Sequence, residues 1–88
     1  MKIKEDKIKE DLRKFVLEEF FPKGRQLSDE ESLFHSGIID SLGVIKLTAF
    51  LENNFKVIVN PSEVSMDKFN TINEITRFIS EKIENSKS

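Results

Sequence analysis

The 88-residue chain has no cysteine and a single histidine. Without cysteine it has no disulfide framework, no thiolate nucleophile and no cysteine metal site. That absence is consistent with a reducing cytosol, so a cytoplasmic location is expected. No apolar run approaches the roughly 20 residues a membrane span needs. The opening Met1-Lys2-Ile3-Lys4-Glu5-Asp6 lacks the apolar core of a signal peptide. An excess of positive charge is also missing: 14 Lys and Arg stand against 16 Asp and Glu, a net charge of −2. This argues against a nucleic-acid partner held by phosphate neutralisation.

Catalytic constellations are equally scarce. His35, the lone histidine, lies six residues before Ser41. A serine nucleophile also needs an oriented base and an oxyanion hole, and no nucleophile-elbow glycine pattern surrounds Ser41. The chain is therefore not read as an enzyme. Asp29, Glu30 and Glu31 lack the glycine and terminal glutamate of a calcium loop and read as solvated loop charges.

What is present is helical patterning at the scale of one small domain, 1–88. Ile8, Leu12, Phe15, Val16 and Phe20 recur at spacings of three and four, predicting a first helix from about Lys4 to Phe20. Glu5–Lys9 and Glu10–Lys14 are acid-to-base pairs four apart on its other face. Pro22 and Gly24 end it. Residues 22–40 make a loop long for so short a chain. Leu27, Leu33, Phe34, Ile38 and Ile39 should pin it to the body, Ser28-Asp29-Glu30-Glu31 has the form of a capping box, and Gly37 permits a bend.

A second helix is expected from about Ser41 to Asn54, capped by Asp40. At 100° per residue Val44, Leu47, Phe50, Leu51 and Phe55 fall on one side, the core face. Leu42, Ile45 and Ala49 fall nearly opposite, beside Ser41 and flanked by Lys46, Glu52 and Asn53. That second stripe either packs under the loop or is an exposed patch for partners.

Lys56-Val57-Ile58-Val59 has strand-like β-branched content, but no second strand is available to pair with it, so it reads as an extended connector. Asn60-Pro61-Ser62-Glu63 predicts the start of a short third helix. Thr71-Ile72-Asn73-Glu74 is a capping box opening the last helix, whose core stripe is Ile72, Ile75, Phe78, Ile79 and Ile83. Glu84 to Ser88 reads as a polar tail. The expected fold is thus all-α, a bundle of three long helices and one short third helix, with a long loop between the first two. Charge is divided along it. Residues 1–27 carry eight basic and six acidic side chains, whereas 28–60 carry only Lys46 and Lys56 against five acids.

The segment Phe34-His35-Ser36-Gly37-Ile38-Ile39-Asp40-Ser41-Leu42-Gly43 resembles the prosthetic-group attachment site of the acyl carrier protein family. The likeness runs from about Leu33 to about Ile83 in element order and spacing. It implies that Ser41 carries 4′-phosphopantetheine through a phosphodiester, added by a phosphopantetheinyl transferase from coenzyme A with Mg²⁺. Asp40 would cap the helix and, with Leu42, help present the site. Cargo would be held as a thioester on the arm, and Leu42, Ile45, Lys46, Ala49 and Glu52 would meet partners. Those partners would be an acyl- or aminoacyl-loading ligase and synthase or acyltransferase enzymes, acting on a monomeric carrier.

The resemblance implies carriage of acyl intermediates for fatty-acid, polyketide or specialised biosynthesis, or else of D-alanyl or other aminoacyl groups; the alternative outside it is a helical interaction domain without a prosthetic group. Gly37-Ile38-Ile39 lacks the Gly-Gly pair usual in peptidyl carriers. Gly43 and Lys46 stand where carriers of primary fatty-acid synthesis usually have acids. Asp-Ser-Leu-Gly followed by an apolar helix ending in Leu-Glu-x-x-Phe looks more like specialised stand-alone carriers.

Overall fold

Three amphipathic stripes at helical spacing give three helices of full length: α1 Glu5–Phe20, α2 Ser41–Phe55 and α4 Ile72–Asn85, with a single turn, α3 Met66–Phe69, before the last. The computed structural model describes residues 5–21, 26–34 and 39–85, apart from the side chains of Met66 and Asp67. Pro22, Gly24, His35, Gly37, Ile38 and residues 86–88 of the tail lie outside the described residues, whereas Glu84 and Asn85, expected in the tail, are the last two residues of α4. The described residues are all-helical, contain no strand, and include no helix long and apolar enough to cross a membrane.

The core is aliphatic. Ile8, Leu12 and Val16 of α1 meet Ile72, Ile75 and Ile79 of α4 and Leu47 and Leu51 of α2, all fully buried. α1 packs chiefly on α4. Burying such side chains supplies about 1.5–3 kcal/mol each, which is what lets so small a domain hold together. Of eight phenylalanines only Phe69 and Phe78 are buried; Phe15, Phe20, Phe21, Phe34, Phe50 and Phe55 pack half-buried around the edge. Phe50, expected in the core, instead lies face to face with Phe15. Val44 and Phe55, also placed on the core face by helical angle, are half-buried too.

The expected short third helix divides in two. Pro61–Glu63 forms a 3₁₀ turn, Val64 is extended, and α3 begins only at Met66. The connector is neither helix nor strand, with Val57 and Val59 buried and Ile58, 75% exposed, between them. It is entered through Lys56, whose left-handed backbone (φ 58, ψ 43) ends α2 with its N–H on the Glu52 carbonyl. At the start of α4, Thr71 Oγ accepts the Glu74 N–H at 3.1 Å, the threonine half of the expected capping box.

The long loop is moored from both sides. Leu27 and Leu33 are buried, and Asp29, read from sequence as a solvated charge, pairs with Lys9 and Arg13 of α1. Lys9 therefore serves the loop rather than Glu5, while Lys7–Asp11 supplies an ion pair along α1. Asn73 donates from its side chain to Glu30 and from its backbone to the Asp29 carbonyl.

Candidate functional site

Asp40 stops the extended chain and starts α2. Its backbone is extended (φ −104, ψ −169), its carboxylate accepts the Gly43 N–H at 2.8 Å and its carbonyl accepts the Val44 N–H at 2.9 Å. Ser41 is the first helical residue and is exposed. The N–H groups of Ser41 and Leu42 have no acceptor within the helix, so the positive end of the α2 dipole surrounds the hydroxyl.

This turn is held in place by distant chain. The Asn70 carbonyl accepts the Leu33 N–H at 2.7 Å, and the Leu33 carbonyl accepts the Ile39 N–H at 3.1 Å. Asn70 Oδ1 also accepts from Ser32 Oγ at 2.7 Å and from the Phe34 N–H at 3.4 Å. Ile39 is buried directly before the cap. Ser41 is thus referenced through two backbone bonds to the α3–α4 junction. Nothing in the sequence marks Asn70 for this part, because its partners lie 36 or more residues away.

Gly43 is small where the packing is tight. A Cβ there would stand 3.1 Å from both Phe20 Cε1 and Ile39 Cγ2, so α1 and the loop close tightly over the first turn of α2. Glycine was legible at this position; its burial was not.

Leu42 and Ile45 are 61% and 65% exposed and Ala49 is exposed as well, so the second stripe of α2 does not pack under the loop. Lys46 reaches across to Glu19 of α1 at 3.7 Å, with both side chains largely in water. Glu52 is half-buried, and its Oε2 accepts the Val59 N–H at 2.9 Å. Of the residues expected to meet partners, Glu52 is therefore partly committed inside the domain. Its carbonyl and carboxylate together clamp both sides of the Lys56 turn.

Between α2 and the segment after the connector lies a groove of 440 Å³, lined by Val44, Ile45, Thr48, Ala49, Glu52, Val59, Pro61 and Val64. A larger cleft, 540 Å³, lies at the other end of α2 around Lys56, Phe78 and Lys82, away from Ser41.

Residues 16–79 match the family model described as phosphopantetheine attachment site. The chain is 38% identical over 84% of its length to the D-alanyl carrier protein of Streptococcus mutans serotype c, covering 92% of that relative. It is 36% and 35% identical, over 75% of its length in each case, to the D-alanyl carrier proteins of Streptococcus sanguinis and Streptococcus gordonii, covering 84% of each. The start of α2 suits a group joined through a phosphodiester: an exposed hydroxyl, two adjacent unpaired backbone N–H groups and a helix dipole that favours negative charge.

Proposed function

Because the chain belongs to the phosphopantetheine attachment family and so bears covalently attached 4′-phosphopantetheine, we propose that Ser41 is its attachment point and that the chain is a D-alanyl carrier. The attachment reading rests on one observation: Ser41 stands exposed at the Asp40-capped start of α2. The cargo reading is supported by the relatives, which are named D-alanyl carrier proteins and are matched over most of their length. Between the cargos implied by the sequence, they favour D-alanyl over fatty acyl. When bound, the arm supplies a flexible chain ending in a thiol that holds the cargo as a thioester.

The chain's own residues do the presenting. Asp40 fixes the first turn and leaves the Ser41 hydroxyl in water, within reach of a transferase. Leu42, Ile45 and Ala49 offer that enzyme, the loading ligase and the acceptor-side enzymes a small apolar surface, with Lys46 on its flank. The three long helices with α3 as the short member constitute a four-helix carrier bundle formed by the whole chain as one domain. It acts as a monomer in the cytoplasm, where coenzyme A and activated amino acids are supplied, and catalyses nothing itself.

Intact-mass measurement tests this. Co-expression with a broad-specificity transferase should add one phosphopantetheine, and Ser41→Ala should abolish the increment while leaving helical circular dichroism intact. A D-alanine ligase with ATP and D-alanine should then load the holo form. Modification that persists in Ser41→Ala would overturn the attachment point, and efficient loading with fatty acids but not D-alanine would overturn the cargo.

A further inference from the structure

On α2 the residues three, four, seven, eight and eleven positions after Ser41 are Val44, Ile45, Thr48, Ala49 and Glu52. Those intervals follow one face of an α-helix. All five line the same 440 Å³ groove, whose far wall is Val59, Pro61 and Val64. At 1.5 Å per residue, Glu52 lies about 16 Å along the axis from Ser41. A linear chain joined to Ser41 and following the groove therefore passes over Val44, Ile45 and Ala49 and reaches Glu52.

The far end of that path differs chemically from the rest. Glu52 is the one charged residue lining the groove among the described residues, and the remainder is apolar but for Thr48. Its Oε2 takes the Val59 N–H at 2.9 Å, which fixes the carboxylate at the groove wall. A carboxylate accepts several donors, so one backbone bond leaves it capacity. Among the described residues no cation lines the groove, and the neighbouring Lys46 lies with Glu19 instead. An ionised carboxylate beside apolar surface favours a cation that shares its partial burial and disfavours a purely apolar end group.

The geometry points to Glu52 as the acceptor for the α-ammonium of an aminoacyl cargo, laid along the groove from Ser41. This rests on the carrier reading above and deepens it: the domain itself distinguishes an aminoacyl from a simple acyl load. Glu52 is then a specificity residue facing cargo, while Leu42 and Lys46, which do not line the groove, face partner enzymes.

The test uses isotope-labelled holo-protein loaded with either D-alanyl or propionyl, groups of similar size that differ by the amine. Intact mass establishes loading first; a chain that takes no arm at Ser41 overturns the carrier reading, and this inference with it. With loading established, the D-alanyl form should shift the Val59 amide and Glu52 carboxyl resonances, and the propionyl form should leave both near their holo positions. Glu52→Gln keeps an acceptor for the Val59 N–H, so the fold is retained, and it should abolish the difference between cargos. Equal shifts with both loads, no shift with either, or a cargo difference that survives Glu52→Gln overturns the assignment.

Discussion

Phe15 of α1 and Phe50 of α2 stack with ring centroids 4.1 Å apart and planes inclined by 11°. The pair continues edge-on to Phe20 on one side and Phe55 on the other. These rings join α1 to α2 at the periphery, outside the aliphatic core.

Phe50→Ala should therefore cost less than a fully buried truncation, about 1–3 kcal/mol, whereas Ile79→Ala should cost about 2–5 kcal/mol. A double-mutant cycle on Phe15 and Phe50 should return a coupling of about 0.5–1.5 kcal/mol. Denaturant titrations of the four variants measure both. A cost at Phe50 equal to that at Ile79 would mean that the ring belongs to the core.

At Gly43 two effects oppose each other. Alanine gains helix propensity, about 1 kcal/mol over glycine, but brings its Cβ to 3.1 Å from Phe20 and Ile39. Gly43→Ala should stay within about 1 kcal/mol of the parent, because the half-buried Phe20 can yield. Gly43→Glu must displace that ring and should destabilise by about 1–3 kcal/mol. Melting curves decide it; a neutral Gly43→Glu would show that α1 does not close over this turn.

Docking and folding should separate at Ile45. Since Ile45 is 65% exposed, Ile45→Glu should leave the melting temperature nearly unchanged while slowing modification or loading severely. Lys46→Glu sets a like charge against Glu19, at a stability cost of at most about 1 kcal/mol for so exposed a pair. It should do little for the chain's own enzymes and should improve recognition by enzymes that serve fatty-acid carriers. Rates and melting curves on the same samples test both; an unfolded Ile45→Glu would place that residue in the core.

Glu63 gives the domain a pH dependence. Lys82 Nζ at 2.6 Å, and then the Asn60 N–H at 3.0 Å, hold its carboxyl below the ordinary glutamate value. A depressed folded value means stabilisation that is present above the unfolded value and is lost as pH falls through the folded one. The stability difference between parent and Glu63→Gln should therefore be constant near neutrality and vanish at acid pH, below the usual glutamate range. Melting temperatures across pH 2–7 (about the span over which carboxylates titrate) check this; a difference that persists in acid would contradict the assignment.

α1, α2 and α4 were legible almost to the residue because their signals are local: stripes at three and four, Asp40 before Ser41, Thr71 before Ile72. The turn at Pro61 misled for the same reason. Its cap-and-proline pattern is satisfied by one 3₁₀ turn, after which extended Val64 breaks the helix and Ser65 starts another. Helical angle placed Phe50 inward without showing that the facing surface was another aromatic ring. Asp29 and Glu52 read as surface charges because Arg13 and the Val59 amide, their partners, come near them only through the fold. At the candidate site, Ser41 and its cap were readable, and the groove leading away from it was not.

Asn70 holds Leu33, Leu33 holds Ile39, and Ile39 leads into the cap of α2. The start of α2 is consequently placed by Asn70, Leu33 and Ile39 and not by the side chains exposed on its outward face. Leu42, Ile45 and Ala49 are thereby released from structural duty, and these side chains can be exchanged over evolutionary time to suit new enzymes while the serine stays where it is. Tolerance for changing clientele is built into the loop that anchors the helix.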